Sequence, residues 1–113
     1  MSAFSPAELA YLTGEPHLGR LATVGADGMP HVVPVGWTYN PAADTIDITG
    51  RDFAATRKFR NARANPKIAM VIDDVLPPWR PRSVMVQGWA EVRTDDAMIR
   101  IKPTKVTSWG LAA

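Results

Sequence analysis

Residues 45–73 read TIDITGRDFAATRKFRNARANPKIAMVID, and the fold turns on this stretch. Thr45-Ile46-Asp47-Ile48-Thr49 alternates apolar and polar side chains in the manner of a half-buried strand. Phe53, Thr56, Phe59-Arg60 and Ala62-Arg63 then recur at helical intervals, which predicts a helix over Phe53–Ala64. Asn65-Pro66 stops it, because a residue before proline is driven out of the helical region. Lys67-Ile68-Ala69-Met70-Val71-Ile72-Asp73 is a continuous apolar run of strand length, expected to be a central strand buried on both faces.

Upstream, Ser5-Pro6-Ala7-Glu8 has the form of a helix N-cap followed by proline and an acid in the first turn, and Gly14 closes the short helix. Leu21 to Val24 and His31 to Trp37 flank Ala26-Asp27-Gly28, which predicts a hairpin. Asn40-Pro41-Ala42-Ala43-Asp44 is a second turn, so the strand at Thr45–Thr49 is expected to complete a three-stranded meander. Downstream, Val75 to Pro81 reads as a proline-rich loop carrying Trp79. Ser83 to Arg93 reads as a long strand with a bulge at Gly88, Met98 to Lys102 as another, and Val106 to Trp109 as a last short one. Hairpin-connected strands with two interposed helices point to an α+β, mainly antiparallel, closed or nearly closed small barrel of six to seven strands.

The 113 residues, 46% hydrophobic and 21% charged, are expected to form a single ordered domain over residues 1–113 with one core. A domain of this size buries only about 60–70% of its unfolded surface, which makes a partner subunit an early expectation. With no cysteine there is no disulfide, thiolate metal site or cysteine nucleophile. Met1-Ser2-Ala3-Phe4-Ser5-Pro6 lacks a basic n-region, and nowhere do ~18 apolar residues run together, so a cytoplasmic protein with no membrane span is expected.

The net charge is only +2, but Arg51, Arg57, Lys58, Arg60, Arg63 and Lys67 crowd one stretch. Such a cluster is either a solvated helix face or the seat of an anion. The residues alone slightly favour the solvated face; for the anion, a strand that ends in Thr49-Gly50 can leave backbone N–H groups free, and the helix that follows carries a hydroxyl, a guanidinium and an ammonium in the row Thr56-Arg57-Lys58. These can donate to, fork onto and neutralise a phosphate monoester. His17 and His31 are isolated and support no metal site, and no nucleophile elbow or paired catalytic acids occur, which disfavours hydrolysis. Trp37 and Trp89 sit within strands and read as core; Trp79 and Trp109 divide evenly between packing and stacking on a ligand. The cations gather beside one helix and do not interleave with aromatics along strands, so nucleic-acid binding ranks low.

Thr49, the Thr56-Arg57-Lys58 triplet and the closing Asn65-Pro66 together resemble the pyridoxamine 5′-phosphate oxidase superfamily, and the likeness runs from Pro30 and Pro34 to Gly88-Trp89-Ala90-Glu91 and Ser108-Trp109-Gly110-Leu111. Within it, Arg57-Lys58-Phe59-Arg60-Asn61, the Pro78-Trp79-Arg80-Pro81-Arg82 loop and the terminal Ser-Trp-Gly-Leu are most similar to actinobacterial-type members assigned to the deazaflavin coenzyme F420.

The resemblance implies a homodimeric split β-barrel with cofactor sites at the subunit interface, a small-molecule substrate and hydride-transfer chemistry. Val33-Pro34-Val35-Gly36 would run along the cofactor ring; Pro34 and Gly36 also fit a plain edge strand with a bulge. Thr49, Gly50 and Arg51 would border the phosphate, Thr56, Arg57 and Lys58 would grip it, and Asn61 would support them one turn later. Trp79 and Trp109 would flank cofactor or substrate, and the proton would come from water or a nearby side chain such as Tyr39. No protein side chain is assigned as the reacting group.

Trp109-Gly110-Leu111-Ala112-Ala113 lacks the Arg-Leu-His motif of the vitamin-processing oxidases, an expectation against pyridoxamine phosphate as substrate. Arg82-Ser83 stands where those enzymes place a flavin-contacting Gln, which favours F420 over the alternative, FMN, and offers a further cation to an anionic tail. A non-catalytic flavin carrier or sensor would use the same phosphate grip.

Overall fold

The computed structural model describes residues 1–111, so Ala112 and Ala113 of the expected 1–113 domain lie outside it. The Ser5 hydroxyl accepts from the Glu8 N–H at 3.2 Å while the Glu8 carboxylate accepts from the Ser5 N–H at 2.8 Å, and this reciprocal box starts α1 (Pro6–Thr13) as expected. The second Glu8 oxygen accepts from the Ser108 hydroxyl at 2.5 Å, which ties the helix to the far end of the chain. The hairpin of β1 (Gly19–Val24) and β2 (Pro30–Val35) turns at Gly28, whose φ of 82° is strained for any residue with a Cβ.

Next come β3 (Thr38–Asn40), β4 (Thr45–Ile48), a 3₁₀ turn (Phe53–Ala55), α2 (Arg57–Ala64), β5 (Lys67–Leu76), β6 (Arg80–Arg93) and β7 (Met98–Trp109). The seven strands form one antiparallel sheet in the order β2-β1-β5-β6-β7-β4-β3. Its two edges, β2 and β3, are joined only by Gly36 and Trp37. So short a link reaches roughly 10 Å at ~3.5 Å per residue, and the sheet must curl until its edges approach. The result is a barrel split between β2 and β3.

This order corrects the expected meander: β4 pairs with β3 and β7, never with β2. Ile46 and Ile48 face the barrel interior, in register with Ile101 and Ile99, while Thr45 and Asp47 are buried on the other side. The strand is therefore covered on both faces, not half-buried. Asp47 tolerates this because Arg100 donates to it from Nε and Nη2 at 3.0 and 3.2 Å, joined by Thr45 Oγ1 at 2.8 Å and Asn40 Nδ2 at 3.0 Å. Burial pushes the Asp47 carboxyl up, but these donors outweigh it and the net shift is down.

β5 departs in the opposite sense. It is central in the sheet, with Ile68, Met70 and Ile72 buried in the barrel, but Ala69 and Val71 on its outer face are only half-buried and Lys67 is exposed. The predicted loop at Val75–Pro81 shrinks to a tight turn, since β5 runs to Leu76 and β6 starts at Arg80. The two predicted C-terminal strands are one: β7 continues through Pro103 because a register shift between Gln87 and Gly88 leaves Thr104 as the extra residue of a bulge.

Gly88 is what makes that bulge possible. A Cβ built there would lie 2.0 Å from the Lys102 carbonyl oxygen. Gly88→Ala must therefore push β6 and β7 apart, and a loss of roughly 3 kcal/mol or more is expected, read as a lower urea-unfolding midpoint with an unchanged slope.

Candidate cofactor site

β4 delivers Thr49, Gly50 and Arg51 to the surface at one end of the barrel, where all three are exposed. Asp52, in the left-handed region at φ 48°, reverses the chain into the 3₁₀ turn. The Phe53 ring is buried and meets Phe59 edge-to-face at 5.5 Å, which anchors the start of α2 on the core. The continuous helix predicted from Phe53 is thus two pieces. Between them Thr56 is the N-cap of α2: its Oγ1 accepts from the Phe59 N–H at 3.4 Å and donates to the Phe53 carbonyl at 2.6 Å. Its hydroxyl proton is therefore spent on the backbone.

α2 turns Phe59 and Ala62 into the core and exposes Arg57, Arg60 and Arg63. Lys58 Nζ stands 5.2 Å from the centroid of the Phe53 ring, and Arg60 Nη1 donates to the Ala55 carbonyl at 2.7 Å. Asn61 is buried, donating from Nδ2 to Thr23 Oγ1 on β1 at 3.2 Å. Among the described residues none of Arg51, Arg57, Lys58, Arg60, Arg63 or Lys67 forms a salt bridge, whereas Arg20, Arg82, Arg93, Arg100 and Lys102 all do. Asp47, Asp73, Asp74, Glu91 and Asp96 pair with other cations, and among the described residues no acid pairs with this cluster. Together with the N-terminal N–H groups of α2, it forms one positive surface.

Val33 to Gly36 lie elsewhere on the barrel. Val35 shares a ladder row with Gly19, Ile72 and Val84, one residue from Ser83. β2 is an edge strand, so the side away from β1 keeps backbone groups outside the ladder; Val35 is buried, Val33 half-buried, and Pro34 and Gly36 exposed. Trp109 pairs with Ser83 and is 55% exposed, and Trp79 is 76% exposed at the β5–β6 turn. α2 ends beside Ala90, whose N–H donates to the Pro66 carbonyl at 2.7 Å. Seven residues of β6 separate Ala90 from Ser83, roughly 23 Å at ~3.3 Å per residue, so within one chain the two tryptophans are remote from that end of α2.

Three expectations fail here. Trp89 is not core: it points off the outer face, 48% exposed. Arg82 is not a free cation, because it forks onto Asp74 from Nε and Nη2 at 2.9 and 2.6 Å. Tyr39 is not a free proton source, since its hydroxyl donates to Asp44 at 2.6 Å, and that bond holds the phenol above its ordinary range. The sequence reading also missed Thr23, the acceptor for Asn61, and Ser83, a buried residue whose Oγ has no hydrogen-bond partner among the described residues. Thr23 was open to discovery from its alternation with Leu21, which assigns both to the barrel interior; nothing local marks Ser83.

Residues 5–109 match the family model described as pyridoxamine 5′-phosphate oxidase. The chain belongs to that family. A 5a,11a-dehydrotetracycline/5a,11a-dehydrooxytetracycline reductase of Streptomyces rimosus is 41% identical over 120 residues, spanning 96% of this chain and 84% of the relative. Membership of an oxidase family and this reductase relative make the protein an oxidoreductase. Solved structures share its fold, among them the following two. An F420 reductase superposes with a TM-score of 0.68 at 24% identity, covering 87% of this chain and 94% of its own. A Mycobacterium smegmatis FAD-binding protein gives 0.71 at 22%, covering 94% and 95%.

Asp74 is the acid of this family member whose carboxyl is held furthest below its ordinary range. Arg82 and the Tyr11 hydroxyl, donating at 2.7 Å, hold its carboxyl down at about 2, while burial and the same bond push the Tyr11 phenol up. A carboxylate with a depressed native pKa contributes stability above its unfolded value of about 3.9 and loses it as pH falls through the native one. Acid unfolding followed by circular dichroism should thus steepen between about pH 4 and pH 2, and Asp74→Asn should flatten that interval while lowering stability at neutral pH.

Proposed function

We propose that this oxidoreductase works as a homodimer that uses coenzyme F420 to reduce a carbon–carbon double bond conjugated to a carbonyl in a polycyclic substrate. The observation that carries the reading is the cation cluster around α2, uncompensated among the described residues, which suits a phosphate bearing a further anionic tail. Arg57 would fork onto the phosphate, Lys58 and Arg51 would neutralise it, and Thr49 and Gly50 would offer backbone N–H groups. Thr56 would act chiefly by capping the helix that presents them, and Asn61 by holding it down. The open side of Val33–Gly36 and the Ser83 hydroxyl, without a partner among the described residues, suit the polar edge of a ring.

The substrate class follows from the relative that reduces 5a,11a-dehydro compounds. Reduced F420 supplies hydride to such a bond. With the Tyr39 hydroxyl held by Asp44, water is the source of the accompanying proton.

Support for the dimer lies on the outer sheet face. Ala22, Val24, Pro30, Ala69 and Trp89 line an open concavity of about 380 Å³ there, and Val32 adds a further exposed apolar side chain. Contiguous apolar surface of this kind suits burial against a second copy, which would also offer its Trp79 and Trp109 to the neighbouring site. The cysteine-free sequence suits the cytoplasm.

Titration of the protein with F420 and with FMN, followed by quenching of cofactor fluorescence, tests the reading. Tight binding of F420 and weak binding of FMN are expected, with oxidation of reduced F420 only when a dehydrotetracycline-type acceptor is present. Lys58→Ala should weaken F420 binding roughly tenfold or more, since a charge-assisted contact is lost, while Tm falls only by what its half-buried stem and its contact with the Phe53 ring contribute. Equal affinity in the variant removes the phosphate assignment. The reverse cofactor preference moves the protein to FMN, and binding without acceptor-dependent oxidation makes it a carrier.

A further inference from the structure

We propose that Thr23 is the positioning residue of the anion site, setting the rotation of α2 through its hydrogen bond with Asn61. Thr23 is 1% exposed on β1, its side chain directed into the barrel as the alternation with Leu21 requires. Asn61, 9% exposed, donates to it from Nδ2 at 3.2 Å. Among the described residues this is the one side-chain hydrogen bond that joins α2 to the sheet.

The other contacts of α2 with the core come from Phe59 and Ala62. Burial of Phe59 and Ala62 chooses which face of the helix points inward, and the directional hydrogen bond from Asn61 to Thr23 narrows the rotation that this leaves. Lys58 and Arg57 precede Asn61 by three and four residues, which puts all of them on neighbouring ridges of the helix. At ~5–6 Å from the helix axis, a rotation of about 30° displaces a side chain by about 3 Å, enough to lose a phosphate hydrogen bond. Thr23 therefore acts on the cations through Asn61 without meeting the ligand.

The inference rests on α2 being a phosphate site, and the test separates the two claims. The affinity of wild-type protein for F420 is compared with that for the phosphate-free deazaflavin riboside, and FMN with riboflavin, to give a phosphate preference. Thr23→Val keeps the shape of the side chain and removes the acceptor. It should lower the phosphate preference roughly tenfold while leaving riboside affinity unchanged, and the amides of α2 should exchange faster with solvent deuterium. Thr23→Ser should restore both.

General destabilisation would weaken phosphate-bearing and phosphate-free ligands alike, and that result overturns the proposal. If wild-type protein shows no phosphate preference, the site itself is wrong and the inference falls with it; if wild type shows the preference and Thr23→Val retains it, only the positioning role fails. Should Thr23→Val fold poorly, Thr23→Val with Asn61→Leu replaces both polar partners by apolar ones. That pair is expected to recover Tm without phosphate preference, and recovery of both would show that packing alone sets the helix.

Discussion

The close approach of the Gly88 backbone to the carbonyl of Lys102, which leaves no room for a Cβ, is the constraint on which the other features depend. Because no side chain stands between them, β6 and β7 pair along almost their whole length, with Thr104 taking up the one-residue mismatch. That long hairpin gives β5 a partner on one side and β4 on the other, and so joins the two halves of the sheet. The joined sheet curls into the split barrel, and its buried side chains give α2 a floor to sit on. The cations of α2 are exposed because Phe53, Phe59 and Ala62 have taken the inward positions.

The local elements were legible for reasons of nearest-neighbour chemistry. Ser5, Pro6 and Glu8 cap a helix wherever they occur in that order, Gly28 permits a turn, and Gly88 marks a bulge, all without reference to the rest of the chain. Partners distant in sequence were not legible. Nothing in Thr45–Ile48 says that its neighbour is β7 and not β2, and the alternation that reads as half-buried conceals an Asp47 neutralised by Arg100, 53 positions away. Trp89 is a different case: its strand was correctly read, and the alternation that buries Val84 and Val86 already assigns Trp89 to the opposite face, because the extra residue of the bulge lies on β7 and leaves the parity of β6 unbroken.

For the site, the residue types were legible and their electrostatic state was not. Arg82 and the α2 arginines look alike in sequence, yet one is neutralised by Asp74 while the others carry no salt bridge among the described residues. Thr56 was picked out as a donor because of its position in a triplet; in the fold that position is a cap, and the cap consumes the donor. Such assignments depend on which acids and carbonyls the topology brings near, which no spacing rule encodes.

The strand order carries a consequence for the history of the chain. The hairpins β1–β2 and β3–β4 are made entirely from the first 48 residues, yet the strands that belong between β1 and β4 are the last three to be synthesised. A ribosome releasing this chain from its N-terminus produces two ribbons whose inner edges wait for β5, β6 and β7. Until the C-terminal hairpin slides in as the keystone, the early half has no barrel to belong to. Assembly is therefore concerted and late, and the nascent protein passes through a stage with unpaired strand edges, the condition in which chaperones most often meet β-rich chains.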